Sequence, residues 1–214
     1  MFIVSPGTWV SSSDEYQSVR VSPNTVPIEA IHVNGQRWEI RYWQETQIEQ
    51  LIDRVSWDSF EAGKLSLNLV ETSCLARLVH ALPVTGIDWI MEKREHITGS
   101  ALRTSLFVDA LARAEMNVED IVGLLGSGDM NSAVLSGQAA LTHIVDALTA
   151  SLGEYGSEWK WRAKRMQALN PAVLPFDDYW ELVTMRSFDP TQPEAWVRRI
   201  IDIYRRVSAE VAVD

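Results

Sequence analysis

The stretch Val26-Pro27-Ile28-Glu29-Ala30-Ile31-His32-Val33-Asn34-Gly35-Gln36-Arg37-Trp38-Glu39-Ile40-Arg41-Tyr42-Trp43 decides how the first part of the chain folds. Two runs rich in β-branched and aromatic residues flank Asn34-Gly35. A two-residue type I′ turn needs positive φ at both central positions, and Asn-Gly tolerates this well. The loop length then sets the register. Val33 opposes Gln36, His32 opposes Arg37, Ile31 opposes Trp38, and Ala30 opposes Glu39. Successive side chains point to opposite faces. Ile31, Val33, Trp38, Ile40 and Tyr42 therefore share one face, the expected core face. His32, Arg37, Glu39 and Arg41 share the other, a polar face that an antiparallel sheet leaves wet or turns toward a ligand.

Upstream, Met1–Val4 reads as a strand ended by Ser5-Pro6-Gly7, and residues 11–15 as a polar loop or helix cap. Downstream the periodicity changes. Ile48, Leu51, Ile52 and Val55 recur at i, i+3, i+4 and i+7, which predicts a helix over 46–55. Further helices are predicted over 69–82, 86–96, 99–115, 117–125, 131–153, 157–169, 176–187 and 193–212. Pro83, Pro171 and Pro175 punctuate them, Ser157 is a plausible N-cap, and Pro193 suits a first helical turn. Gly126-Ser127-Gly128-Asp129 reads as a break between helices. It is no phosphate loop, because no strand precedes it and no Gly-Lys-Ser/Thr follows. The fold class is α+β: a short hairpin-containing segment, 1–56, followed by a predominantly helical bundle domain, 57–214.

The 214 residues are 46% hydrophobic and 22% charged, enough to bury a core without staples. Cys74 has no partner for an intrachain disulfide and lies among Leu75, Leu78, Val79 and Leu82, so it reads as a buried, inert thiol. His80, six positions on, points to another side of the same helix. A net charge of −10 makes nucleic acid an unlikely partner, because phosphate-backbone binding runs on basic charge. No apolar run approaches the ~20 residues that span a bilayer, and no leader pattern opens the chain. A cytoplasmic, non-membrane protein is the expectation.

Familiar catalytic signatures are absent. The chain has no Cys-x-x-Cys, His-Glu-x-x-His, Gly-x-Ser-x-Gly or Gly-x-Gly-x-x-Gly. Its four histidines, His32, His80, His96 and His143, never pair at helical spacing. The most distinctive cluster is Glu158-Trp159-Lys160-Trp161-Arg162, with Lys164 and Arg165 close behind. Lys160 and Lys164 stack one turn apart. Such a cluster is either a solvated basic face with its stems over tryptophan or an anion site, where lysine supplies a point charge and arginine a bidentate fork.

Three stretches carry a family resemblance. They are Arg37-Trp38-Glu39-Ile40-Arg41-Tyr42-Trp43 running into a helix, Leu75-Ala76-Arg77-Leu78-Val79-His80-Ala81-Leu82-Pro83-Val84-Thr85-Gly86 before a tryptophan-bearing helix, and the long helix 131–153 leading to Tyr155-Gly156-Ser157-Glu158-Trp159-Lys160-Trp161. Together they resemble the helical domain that accompanies polymerase β-type nucleotidyltransferase cores, of the kanamycin-nucleotidyltransferase kind. That resemblance implies three carboxylates holding divalent metal: two on an Asp-x-Asp strand after a Gly-Ser turn, the third on a later strand. Glu39 fits the third position, as catalytic and metal-binding carboxylate, with magnesium the cofactor if there is catalysis. Phe2-Ile3-Val4 looks like the apolar continuation of the Asp-x-Asp strand, but the Asp-x-Asp itself is absent.

The resemblance thus implies a nucleotidyltransferase-like protein, catalytically incomplete as given, that binds a nucleotide, another small molecule or a partner. Arg37, Arg41, Lys160 and Lys164 would contact the ligand, with Lys160 across a cleft from Glu39. An alternative is an active enzyme that transfers a nucleoside monophosphate to a small molecule, completed by upstream residues or by another chain. A third reading is a helical interaction protein. The edge of the N-terminal strand is the expected homo- or hetero-oligomer contact, since an uncovered edge invites pairing.

Overall fold

A computed structural model of the chain describes residues 2–5, 7, 14–156 and 158–211. The expected Ser157 cap, the loop at 11–13, Pro6 and the ends of the strand at Met1 and of the helix at 212 lie outside the described residues. The chain forms two compact units, Met1–Leu102 and Arg103–Asp214. The class is mixed α+β, with one four-stranded sheet near the N-terminus and helices after it.

The first unit is built on that sheet. Its strands are β1 (Phe2–Ser5), β2 (Tyr16–Ser18), β3 (Thr25–Val33) and β4 (Gln36–Gln44), in the spatial order β1-β4-β3-β2. β3 and β4 form the predicted hairpin, with Val33 opposite Gln36 and Ile31 opposite Trp38. Asn34 and Gly35 take φ of 52° and 76°, the positive pair that a tight hairpin turn requires. β2 adds to β3 antiparallel, whereas β1 lies parallel to β4, with Phe2 beside Arg41 and Val4 beside Trp43.

The expected core face needs correction. Of its members only Ile40 is fully buried, while Val33 and Trp38 are 47% and 42% exposed. The most deeply buried sheet residues are Val26 and Trp43. Both lie on the face of Arg37, Glu39 and Arg41, the face expected to be polar. The physical reason is position along the strands: over two nine-residue strands the base of the hairpin is buried, at Val26, Ile40 and Trp43, and its tip is open, at Val33 and Trp38. One strand face therefore changes character along its run.

Helices α1 (Glu45–Arg54), α2 (Trp57–Glu61), α3 (Leu69–Val79) and α4 (Ile87–Thr98) complete the first unit. α1 follows β4 directly, and its apolar stripe holds Ile48, Leu51 and Val55 out of water. Buried Gln47 clips α1 to the β2–β3 connection and the start of β3: its amide nitrogen donates to the carbonyls of Pro23 (2.6 Å) and Thr25 (3.1 Å). α3 starts with a capping box. Asn68 Oδ1 accepts from the Glu71 N–H at 3.0 Å, and Glu71 Oε2 accepts from the Asn68 N–H at 2.8 Å. Cys74 and Leu75, on α3, are buried as expected.

The second unit is helical: α5 (Leu102–Ser127, which begins at the boundary), α6 (Met130–Ser151), a 3-10 turn at Trp159–Trp161, α7 (Arg162–Leu169), α8 (Phe176–Val183) and α9 (Pro193–Glu210). α5 is one helix where two were predicted. Asn117 does not interrupt it, because its side-chain amide donates back to the Arg113 carbonyl at 2.8 Å. The break expected over 126–129 narrows to Gly128-Asp129, since α5 runs through Ser127, and Asp129 accepts from the Ser132 N–H to start α6. The core is drawn from Ala114, Val118 and Ile121 of α5, Ile144 and Leu148 of α6, Met166 of α7, and Val197, Ile200 and Val207 of α9. α6 and α9 approach so closely at Gly137 that a Cβ there would lie 2.8 Å from Trp196 Cζ3. Among the described residues no helix is long and apolar enough to cross a membrane.

Candidate functional site

The first unit contains a cavity of about 960 Å³. Four elements wall it: β1 through Ile3–Ser5, β4 through Arg37–Glu39 and Arg41, the end of α3 through Arg77, and the 81–86 loop with the start of α4. Glu45, the first residue of α1, also reaches it. Local sequence dictates much of this wall. Pro83 stops α3 from continuing, and Gly86, at φ +69°, turns the chain into α4 in a left-handed conformation that a side chain would strain. Trp89 and Ile90 then face the cavity from the first turn of α4.

Charge on the wall is organised. Arg41 Nη2 lies 2.6 Å from Glu39 Oε1, and its Nε–H donates to Gln17 Oε1 at 2.9 Å. Arg41 is thus the fixed partner, mostly buried, while Glu39 is more open. Arg37 and Arg77 add two further guanidinium groups. Trp89 is held by its edge: the indole Nε1–H donates to Glu45 Oε1 at 2.6 Å. The ammonium of Lys93 lies 5.8 Å from the Trp89 ring centroid. Lys93 is itself buried and bonded to Glu92 at 3.0 Å, and that bond holds the Glu92 carboxyl below its ordinary range. Behind the wall, burial pushes the Cys74 thiol far up, with the nearby Arg41 charge opposing, which disfavours the thiolate that nucleophilic or metal chemistry needs.

Three of the expected site residues, Arg37, Glu39 and Arg41, line one cavity. Lys160 and Lys164 belong to the second unit, where both ammonium groups lie 5.9 Å from the ring centroid of Trp161. Trp159 beside them is 77% exposed. The cavity's described lining comes from the first unit only.

No family model, curated protein or solved structure matches the chain.

The magnesium implied by the sequence resemblance does not fit the donors present. Among the described residues no group of three or more His, Cys, Asp or Glu side chains could hold a metal ion. The two carboxylates on the cavity are each engaged, Glu39 by Arg41 and Glu45 by Trp89. Magnesium wants near-octahedral oxygen coordination with carboxylate anchors, which this donor set does not supply.

Sequence reasoning missed Arg77, Glu45 and Trp89. Arg77 and Trp89 sit in segments correctly read as helices, and the Pro83–Gly86 break was the signal that the two helix ends meet. Nothing in the helical period, however, marks which exposed residues near those ends turn toward the hairpin.

Proposed function

We propose that the first unit is a nucleotide-binding module in a nucleotidyltransferase-like chain that is catalytically incomplete as given. One observation carries this reading: among the described residues, three guanidinium groups, Arg37, Arg41 and Arg77, share a cavity with two indoles and only two carboxylates. In a protein of net charge −10, an anion is repelled unless cations are concentrated locally. The Glu39 carboxylate offsets Arg41, which leaves Arg37 and Arg77 to receive a phosphate. Arginine suits that task because its planar fork bonds two oxygens at once. Equilibrium dialysis with ATP tests the reading. Arg37→Ala and Arg77→Ala should each weaken binding about tenfold, the loss of one charged hydrogen bond. Absence of ATP binding at millimolar concentration would remove the proposal.

The alternative of an active transferase also has an observation in its favour. The parallel register sets Phe2 beside Arg41. Carried back two residues, it reaches Glu39. A strand supplied there, from upstream of Met1 or from a partner chain, would bring its side chains next to the Glu39 carboxylate. The test is magnesium-dependent transfer of AMP to a small acceptor by a chain extended at its N-terminus with any in-frame upstream sequence. Turnover that vanishes in Glu39→Gln supports this alternative, and turnover that survives removes Glu39 from it.

A further inference from the structure

We infer that Trp89 is a stacking wall of the cavity and that the ligand it selects is a purine nucleotide. The inference rests on the nucleotide reading above and deepens it.

Trp89 differs from an ordinary half-buried aromatic in three ways. It lines the cavity. Its indole nitrogen is tied to Glu45 at 2.6 Å, which stops the ring rotating about its long axis. The buried Lys93 places an ammonium 5.8 Å from the ring centroid, and Lys93 does not line the cavity. A ring held at its edge loses little freedom when a second ring is laid on its face, so the stacking energy is not spent on ordering the protein. The two fused rings of a purine cover more of the indole than one pyrimidine ring does. Arg37 and Arg77, on the same cavity, would hold the phosphates, so the ligand needs both a base and an anionic tail.

Isothermal titration with pyrophosphate, ADP and UDP tests this. The wild-type chain should bind ADP about tenfold tighter than pyrophosphate, the increment expected of one base–aromatic stack, and several-fold tighter than UDP. Trp89→Leu should bring ADP to within about twofold of pyrophosphate measured on the same variant. In the wild type, adenine H8 should show a nuclear Overhauser effect to the Trp89 ring protons, a readout that does not depend on how the variant folds. Three results overturn the stacking role alone: pyrophosphate binding with no ADP advantage, an ADP advantage that survives Trp89→Leu, or an absent adenine–Trp89 effect in an ADP-saturated sample. Binding of neither pyrophosphate nor ADP at millimolar concentration overturns the nucleotide reading and the stacking role together.

Discussion

Glu71→Ala should be among the most damaging single changes in the first unit, though Glu71 touches no ligand. Its side chain is fully buried. Oε1 accepts from the Arg20 N–H at 2.5 Å, Oε2 accepts from the Asn68 N–H at 2.8 Å, and Arg54 Nη1 stands 3.5 Å from Oε1. One carboxylate thus ties the loop after β2, the last turn of α1 and the start of α3 together. Alanine leaves two backbone donors without their charged acceptor, at about 1.5–3 kcal/mol each. The Arg54 pair is long and its side chain is one-third exposed, so screening holds its share below about 1 kcal/mol. Removing a buried anion returns part of this, because its desolvation is no longer needed. The net expectation is a loss of about 3–4 kcal/mol, a large fraction of the roughly 5–15 kcal/mol that holds a typical domain together. Glu71→Gln keeps one acceptor oxygen but points an NH2 at the second donor, and should cost about half as much. Urea titration by circular dichroism gives the global number, and amide hydrogen exchange at Arg20 and Asn68 localises it. A loss under about 1 kcal/mol, or equal losses for Ala and Gln, would refute this account of Glu71.

Four further outcomes follow from the packing. Trp43→Ala should cost about 3–5 kcal/mol as a core deletion, whereas Trp38→Ala should stay within about 1 kcal/mol; thermal melts of the two variants check the reassigned sheet faces. Gly137→Val drives two methyl groups toward the buried Trp196 ring, so it should destabilise by at least the ~1–3 kcal/mol of overpacking and lower the melting temperature of the second unit. Burial holds the His143 imidazole below its ordinary value, with Asp146 opposing and Arg113 and Arg162 assisting. The unfolded chain then takes up the proton first, so the His143 contribution is complete above about pH 6.5 and is lost as pH falls toward the depressed folded value; His143→Gln should flatten that slope in pH-dependent melts. Cys74 should resist a thiol reagent at pH 9 in the folded chain and react at once in denaturant, since burial holds its thiol protonated.

Local chemistry wrote the hairpin into the sequence. Asn34-Gly35 fixes the turn because few other residue pairs accept two positive φ angles, and a two-residue loop leaves one register. That register by itself puts Arg37, Glu39 and Arg41 on a common face. The helix start at Pro193, the breaks at 126–129 and Pro83 and the burial of Cys74 were legible for the same reason: each depends on residues a few positions apart. The join at residue 116 shows where that reasoning thins. The sequence reads as two helices, 99–115 and 117–125, yet α5 runs unbroken from Leu102 to Ser127, with the Asn117 amide bonded back to Arg113.

What the sequence determined alone was how β3 meets β4 and which residues of β4 travel together, while β2, α2 and the continuity of α5 were not read from it. What only the tertiary structure decided was which sheet face is covered and what the open part of the polar face looks at. Alternation divides side chains into two sets but does not say which set meets a helix. That depends on which distant segments come to rest against the sheet, where Val26 and Trp43 are buried at the base while Trp38 and Val33 stay partly exposed. The same placement brings Arg77, Glu45 and Trp89, contributed by three different helices, onto one cavity with Arg37 and Glu39. Burial is a property of the neighbour as much as of the residue, and the neighbour is chosen by long-range packing that no local period encodes.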